Sequence, residues 1–322
     1  MELNSDRFKD FLQAQNQSWQ LSADNYRGLA KVGEREFLID GNHVKVQFNP
    51  ERMRSSNARV DQNSIAARKC FLCIENRPTE QNNLDLGNNF LLLVNPFPIF
   101  HRHFTIPSVQ HTPQLLTGSL EAMFEIARQM KGYTLFYNGP ECGASVPDHL
   151  HFQSGENGFL PVESEFERMK QKPENLLFQS DHLNIWAFDD YLRKMISIET
   201  NNPGEGVIAI GNLLNRFREI QPEKIEPMIN LLCYFRDGKW VLHLFPRKLH
   251  RPRQFFEEGS HRLLISPASV DFGGVFITPR REDFDKITSA DIKDIFNQVC
   301  LDDESFEVLK ISIANYKRLI KN

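Results

Sequence analysis

The residues with the clearest chemical potential alternate along one short segment, His149-Leu150-His151-Phe152-Gln153. If this segment is a β-strand, two histidines and a glutamine point to one face of it, and Leu150 and Phe152 point to the other. A neutral imidazole, whose ordinary pKa is about 6.5, attacks phosphorus without charge repulsion and leaves readily from the resulting phosphoramidate. The pattern predicts that His151 is the nucleophile of a covalent nucleotidyl transfer. Two structural histidines on a core strand would give the same pattern, so the neighbouring sequence has to decide.

A loop upstream of this segment, Asn138-Gly139-Pro140-Glu141-Cys142-Gly143-Ala144-Ser145, is suited to holding phosphate oxygens. Its backbone amides around Gly143 are donors for an anion, as are the Ser145 hydroxyl and the Asn138 amide. Without a nucleophile beside it, the same loop would be an ordinary turn. Next to His151 it predicts a phosphate-binding site.

Arginines are concentrated in a second polar stretch that begins Gln47-Phe48-Asn49-Pro50. Arg52, Arg54 and Arg59 are predicted to bind the non-transferred phosphate or the acceptor, because a guanidinium gives two parallel donors to phosphate oxygens. The alternative is a solvated surface loop. Lys248 and His250 either reach the same cleft from the second half of the chain or form a solvated strand end.

Four residues form the metal site that we predict: Cys70, Cys73, His111 and His149. A two-Cys, two-His set suits tetrahedral Zn²⁺ and leaves no position for water, so the site would be structural and would anchor the nucleophile strand. From spacing alone, any of three histidines could be the third ligand: His101, His103 or His111. A redox C-x-x-C pair is the alternative, although neither cysteine opens a helix after a thioredoxin-like strand.

The elements that must position these residues follow from hydrophobic periodicity. The predicted elements are an opening helix from Ser5 past Phe8, Phe11, Leu12 and Trp19; strands at Phe90–Val94, Phe104–Ile106, Tyr133–Tyr137 and His149–Gln153; and a helix at Pro113–Lys131. A second set of elements comprises strands at Met195–Ile198, Ile229–Phe235 and Lys239–Phe245, and helices at Gly206–Phe217, Ser289–Val299 and Asp303–Leu319. The second set resembles the first in order, which predicts a duplicated α+β architecture.

Composition sets the class of protein: 322 residues, 40% hydrophobic, 25% charged and a formal net charge of -4. This balance argues against a surface built to hold duplex nucleic acid. The first residues lack the pattern of a signal peptide, and no apolar run is long enough for a membrane span. A cytoplasmic address is expected, where a C-x-x-C pair indicates metal or redox chemistry before a disulfide.

The segment Asn138 to Gln153, "NGPECGASVPDHLHFQ", resembles the active-site segment of the galactose-1-phosphate uridylyltransferase branch of the histidine-triad (HIT-like) superfamily. The resemblance implies that His151 is nucleotidylated, that the main-chain carbonyl of His149 orients its ring, and that Gln153 steadies the transferred phosphoryl group. Gln in place of a third histidine implies transfer rather than hydrolysis. The resemblance also implies that zinc binds Cys70, Cys73, His111 and His149, with His111 as the third ligand. Some of those enzymes have a second metal site with a paired histidine in the second half, where this chain has only His243-Leu244-Phe245.

Two further segments indicate the substrate. Asn95 to Gln114 is similar to diadenosine tetraphosphate phosphorylases, and Ser266 to Phe284 and the "QFNPER" loop are similar to GDP-L-galactose (GDP-hexose) phosphorylases. The resemblance implies a duplicated HIT-like fold with halves at 1–175 and 176–322, and a homodimer is an open expectation. The substrates would be a nucleotide-sugar or dinucleoside polyphosphate, with phosphate or a sugar phosphate as acceptor. Uridylyltransferase-type exchange and a non-catalytic nucleotide sensor are the alternatives.

Overall fold

A ten-stranded antiparallel sheet runs through the described part of the chain, residues 5–53, 65 and 67–315, in the computed structural model. The strands are β1 (Gly33–Ile39), β2 (Asn42–Phe48), β3 (Asn83–Gly87), β4 (Phe90–Val94), β5 (Phe104–Pro107), β6 (Tyr133–Asn138), β7 (His151–Glu156), β8 (Leu176–Gln179), β9 (Leu183–Phe188), β10 (Met195–Thr200), β11 (Ile229–Arg236), β12 (Lys239–Pro246) and β13 (Val275–Thr278). The large sheet has the order β3-β4-β5-β7-β6-β11-β12-β10-β9-β8, and β1, β2 and β13 form a separate small sheet.

Helices cover both faces of the large sheet. They are α1 (Ser5–Ser18), α2 (Gln20–Gly28), α3 (Leu120–Gln129), α4 (Pro161–Met169), α5 (Pro203–Ile220), α6 (Ser269–Phe272), α7 (Arg281–Lys286), α8 (Ser289–Val299) and α9 (Asp303–Ala314). Within the described ranges, none has the length and apolar character that a membrane span requires.

The two halves of the large sheet repeat one topology. Along the chain, each half has a hairpin, a third strand, a helix and a second hairpin. In the sheet, the fifth strand of each half lies between its third and fourth strands. The halves meet where β6 pairs with β11, with Phe136 opposite Leu232. The predicted duplicated α+β fold is confirmed, and the halves share one continuous sheet rather than forming two separate ones.

Alternation along the strands divides the core into two layers. Leu135 and Leu231 belong to the cluster under α1, α3, α5 and α9, whereas Phe136 and Leu232 belong to the cluster under α4, α8 and the small sheet. Successive side chains of a strand point to opposite faces, so a strand that lies between two layers is covered on both sides. For this reason β6, YTLFYN, is buried along its whole length.

Three predicted elements differ at their ends. The opening helix is interrupted at Trp19, which is extended (φ -125°, ψ 99°) and buried, so that α1 and α2 form a helical pair. The helix predicted at Pro113–Lys131 begins only at Leu120, because Gly118 has φ +83°, which is incompatible with a right-handed helix. The predicted end of the last helix, Leu319, lies outside the described residues.

The strand predicted to carry the nucleophile, β7, begins at His151 rather than at His149. The Leu150 amide donates to Thr112 O at 2.7 Å, so the residues before His151 pair with the irregular segment that precedes α3. His149 therefore lies outside the strand, and its ring contacts the cysteines, with Nδ1 3.2 Å from Cys70 Sγ.

Candidate active site

The imidazole of His151 is held in one tautomer. Its Nδ1 lies 2.8 Å from the main-chain oxygen of His149. Because a carbonyl only accepts, Nδ1 carries the proton and Nε2 keeps its lone pair. The side chain is only 4% exposed, and burial lowers its pKa to about 4, so the ring is uncharged at neutral pH. The arrangement is that of an imidazole nucleophile.

Gln114 fixes the backbone of His151. The β6–β7 pairing stops at Phe136 and Gln153, before Asn138 and His151 could pair. The buried Gln114 amide takes the place of this pairing: Nε2 donates to the oxygens of Asn138 and His151, each at 3.0 Å, and Oε1 accepts from the His151 amide at 2.8 Å. Sequence reasoning missed this residue, since a glutamine after a proline carries no local signal for it.

Gln153 is oriented by a buried histidine. His103 accepts at Nδ1 from the Ile99 amide (3.1 Å), so its Nε2 carries the proton and donates to Gln153 Oε1 at 3.0 Å. Burial lowers the pKa of His103 to about 3, which keeps it neutral. With Oε1 engaged, the Nε2 group of Gln153 is left as a donor, and no described residue accepts from it. His103, one of the three histidines considered as a metal ligand from spacing, instead positions Gln153.

Asn138 belongs to a buried network between the halves. Its Oδ1 accepts from Asn230 Nδ2 (2.9 Å) and from the Ser269 amide (2.8 Å). The Ser269 hydroxyl lies 2.7 Å from both Asn138 Oδ1 and Tyr137 O and donates its one proton to either of them. These donors fix the amide so that Nδ2 is the free donor, and in the described part of the chain it has no acceptor. Ser269 lies 131 positions away, so local sequence could not reveal the contact.

Gly143 and Ser145 lie in the loop between β6 and β7. Gly143 has φ +96°, and a Cβ there would lie 2.7 Å from the Cβ of Ala268, so both backbone and space require glycine. Its loop therefore packs against the second half. Two cavities adjoin this loop, one largely apolar and one polar, and both are lined by Ser145 and Gln153.

The apolar chamber has a volume of about 620 Å³. Its walls include Trp19, Leu21, Phe71, Leu72, Leu93 and Phe97, and its inner end includes His151, Gln153 and Ser145. The polar chamber, of about 80 Å³, lies on the other side of Gln153 and Ser145 and includes Arg52, Asn138, Gly143, His250, Arg251 and Asp271. The junction of the chambers is where a reacting phosphorus would sit.

Cys70, Cys73, His111 and His149 cluster together, with ligand atoms within 4.8 Å of one another. His149 Nε2 lies 2.8 Å from Ser108 O, so its Nδ1, 3.2 Å from Cys70 Sγ, presents a lone pair. His111 Nδ1 lies 3.1 Å from Cys73 Sγ. The four-residue set can bind a metal ion.

The other predicted phosphate ligands divide into three groups. Arg52 borders both chambers, and its Nη1 donates to Phe97 O at 2.8 Å. Arg54 and Arg59 lie outside the described residues. His250 lies in the polar chamber, whereas Lys248 is exposed and is not part of its wall.

Two family models divide the chain. A model described as a domain of unknown function, DUF4922, matches residues 11–156, and a model described as a GDPGP1-like C-terminal domain matches residues 166–318. Galactose-1-phosphate uridylyltransferase 1 of Streptococcus pneumoniae serotype 4 (strain ATCC BAA-334 / TIGR4) is 28% identical over 257 residues, covering 71% of this chain and 50% of that protein. The chain thus spans about half the length of the curated relative that it matches.

Solved structures share the fold. The crystal structure of yeast Ap4A phosphorylase Apa2 has a TM-score of 0.59 at 16% identity, covering 88% of this chain and 96% of that chain. The same enzyme in complex with Ap4A has a TM-score of 0.54 at 15% identity, with 88% and 97% covered. At these identities the likeness concerns the fold.

Proposed function

We propose that this chain, which belongs to the HIT-like superfamily in the branch of galactose-1-phosphate uridylyltransferases and Ap4A phosphorylases, forms a covalent nucleotidyl-His151 intermediate. Its substrate is a nucleoside diphosphate sugar of the GDP-hexose type or a dinucleoside polyphosphate, and phosphate or a sugar phosphate is the acceptor. The observation that carries the proposal is the His151 ring, uncharged and tautomerically fixed, at the junction of two chambers.

In the first step, the Nε2 lone pair of His151 attacks the α-phosphorus. The bond from phosphorus to the bridging oxygen breaks, and the bridging oxygen leaves with the electron pair as part of a sugar phosphate or, from a dinucleoside polyphosphate, of a nucleoside polyphosphate. In the second step, an oxygen of the acceptor attacks the same phosphorus, and the P–N bond returns its electron pair to Nε2. The His149 carbonyl stabilises the positive charge on the ring while the P–N bond exists.

Three donors assist at phosphorus: Gln153 Nε2, Asn138 Nδ2 and the Ser145 hydroxyl. In Gln153 and Asn138, hydrogen bonds to the amide oxygen fix the orientation of the amide nitrogen. These two donors therefore need no reorganisation when charge develops on the phosphoryl oxygens. His149 has two roles in this proposal, with its carbonyl on His151 and its ring in the metal site.

Zinc is the metal we propose for the four-residue set, because two thiolates and two imidazoles with no open position suit a structural Zn²⁺. Cys70, Cys73, His111 and His149 would hold it. When bound, it fixes the loop before β7 and takes no part in the transfer. Thiolate ligands require a reducing compartment, so we propose a cytoplasmic location. The division at residue 175 and a homodimer remain predictions.

Intact-mass measurement tests the proposal. Purified protein is incubated with GDP-hexoses, UDP-hexoses and dinucleoside tetraphosphates, each with and without phosphate. We expect a nucleoside monophosphate adduct on the native chain and on a control, His261→Ala, which changes an exposed histidine. His151→Ala should carry none, and an adduct on that variant would remove His151 from its role.

The acceptor decides between the phosphorylase and the exchange reaction that the uridylyltransferase likeness favours. The isolated adduct is mixed with inorganic phosphate or with a hexose 1-phosphate. A phosphorylase releases a nucleoside diphosphate with phosphate, whereas an exchange enzyme forms a new nucleotide-sugar.

A further inference from the structure

One buried carboxylate of the second half reaches into the first half, beside the residues that hold His151. Glu226 lies in the segment between α5 and β11, and only 4% of it is exposed. Its Oε1 accepts from the Leu116 amide at 2.6 Å, and its Oε2 lies 2.6 Å from the Tyr137 hydroxyl. These two contacts join residues 110 and 89 positions apart, so Glu226 connects the halves.

Both partners of Glu226 adjoin Gln114, the residue whose side-chain amide fixes the backbone of His151. Leu116 follows Gln114 by two positions in the irregular segment before α3. The Tyr137 hydroxyl lies 3.1 Å from the main-chain oxygen of Gln114. Glu226 therefore holds the backbone of Gln114 from two directions, and through Gln114 it reaches the backbone of His151.

The segment that carries Glu226 is itself anchored. Gln221, at its start, accepts at Oε1 from the amide of Met228, at its end, at 2.9 Å. The Gly139 amide of the first half donates to Ile229 O at 3.1 Å, and a Cβ on Gly139 would lie 2.9 Å from that oxygen. The two halves are thus in close backbone contact at this point, which fixes the position of Glu226.

The contacts of Glu226 persist in both of its protonation states. Burial raises the pKa of its carboxyl to about 7. The ionised form accepts from both the Leu116 amide and the Tyr137 hydroxyl. The protonated form keeps one oxygen for the amide and donates to Tyr137 Oη, so that Tyr137 donates to the main-chain oxygen of Gln114. A glutamine at position 226 makes the same contacts as the protonated form.

We infer that Glu226 is a positioning residue for nucleotidylation: it holds Gln114, and Gln114 holds the backbone of His151. This inference rests on the proposed function and adds that the second half sets the geometry of the nucleophile across the β6–β11 boundary. Glu226 itself exchanges no proton and forms no bond in the reaction. A role of this kind affects the rate strongly, because a misplacement of about 1 Å costs about 100-fold.

The rate of adduct formation, followed by intact mass at a series of nucleotide-sugar concentrations, tests the inference. Glu226→Ala should lower the maximal rate by about tenfold with little change in KM, because the residues that line the chambers stay and only the placement of His151 changes. Glu226→Gln should recover most of the loss, since its amide keeps both contacts. A higher KM at an unchanged maximal rate, or a glutamine variant as slow as the alanine variant, contradicts the inference.

Glu163 provides a matched control. It is also a buried carboxylate, 6% exposed, and burial raises the pKa of its carboxyl too. It accepts from the Gly158 amide at 2.6 Å and lies 2.8 Å from the Thr134 hydroxyl, and among the described residues neither contact involves Gln114.

Each alanine variant leaves one amide and one hydroxyl without the buried acceptor. Glu163→Ala should therefore lower the urea midpoint about as much as Glu226→Ala does, and it should leave the rate of nucleotidylation unchanged. Equal rate losses in the two variants would show general destabilisation and would refute the positioning role.

A measurement without substrate separates this inference from the proposed function. In long-range 15N–1H NMR spectra at neutral pH, the ring of His151 should carry its proton on Nδ1, with the signals assigned by their loss in His151→Ala. Glu226→Ala should shift these signals or add those of the other tautomer, whereas Glu163→Ala should not. Unchanged His151 signals in Glu226→Ala overturn the inference even if the native chain forms an adduct. A native chain that forms no adduct refutes the proposed function, and the spectra still decide whether Glu226 positions His151.

Discussion

His151 and His243 lie on corresponding strands of the two halves, β7 and β12, and face the same side of the sheet. Residues directly opposite each other on neighbouring strands point to the same side, and three such pairs lead from Gln153 to Phe136, from Phe136 to Leu232, and from Leu232 to His243. His151 lies two residues before Gln153 on β7 and therefore shares its side. On the first half this side borders two chambers, whereas on the second half Phe166 of α4 covers it, with its ring centre 4.9 Å from that of His243. The same topology therefore borders open cavities in the first half and forms a packed core in the second half.

The difference lies in how each histidine is partnered. Among the described residues, His151 has a partner only at Nδ1, on a main-chain oxygen, so the lone pair of Nε2 is free. His243 has both ring nitrogens near hydroxyls, with Nδ1 2.8 Å from Ser197 Oγ and Nε2 3.4 Å from Tyr234 OH. Of the two histidines, only His151 combines a free ring nitrogen with an adjoining cavity, which is what the proposed nucleophile requires.

The cluster of Cys70, Cys73, His111 and His149 lies in the first half, with no counterpart among the described residues of the second, and its loss should have the largest effect. Cys70→Ala removes one of four ligands, so we expect metal content to fall from one ion per chain towards zero. The free energy of unfolding should fall by on the order of several kcal/mol, because structural zinc binding is folding energy. Elemental analysis and thermal unfolding measure both quantities.

Cys233→Ala is the matched control from the second half, where Cys233 is buried in the apolar layer of β11. It should keep the metal and lose only about 1 kcal/mol for the small cavity it leaves. If Cys70→Ala retained the native metal content, the cluster would not be a metal site, and if both variants lost the same stability, the metal would not be structural.

The second prediction concerns the orientation of Gln153. His103→Phe keeps the ring packing on Phe100 and Phe136 but removes the donor to Gln153 Oε1. The rate of nucleotidylation should fall by about 10- to 100-fold with KM changed little, since a transition-state donor is no longer aimed. Ser197→Ala, which removes the hydroxyl partner of His243, should leave this rate unchanged.

A double-mutant cycle separates positioning from general destabilisation. In a Gln153→Ala background, His103→Phe should cost stability but no further rate, because the group it aims is gone. His103→Gln, which supplies an amide donor, should recover part of the rate. Additive rate losses for His103 and Gln153 would contradict the positioning role.

Local periodicity predicted the scaffold well and the site only in part. Phe90–Val94 and Ser289–Val299 match β4 and α8, because the apolar pattern along a buried strand or an amphipathic helix follows directly from its period. The His-x-His-x-Gln segment predicted a nucleophilic role for His151 from its residue types, and that role stays a prediction. The contacts that aim Asn138 and Gln153 could not be predicted, since they join residues 131 and 50 positions apart. Spacing alone also could not tell a metal ligand from His103.

The smallest expected effect concerns His243 and tests whether water is excluded from its site. Burial, followed by the positive charges of Arg236 and Lys170, lowers the pKa of His243 to about 3. Below about pH 6.5 the unfolded chain binds a proton at this residue while the folded chain does not. The stability that His243 contributes is therefore complete above that pH and declines as the pH falls towards 3.

His243→Gln removes this proton linkage and keeps a polar group beside Ser197. Between pH 7.5 and pH 5.5 the native chain should lose roughly 1 kcal/mol more stability than the variant, measured by urea unfolding at each pH. His103, His151 and His250 also have lowered pKa values, but they titrate alike in both proteins and cancel in the difference. If the native chain and the variant had the same pH dependence, the pKa of His243 would be the same in the folded and unfolded states, and water would reach this histidine in the folded protein.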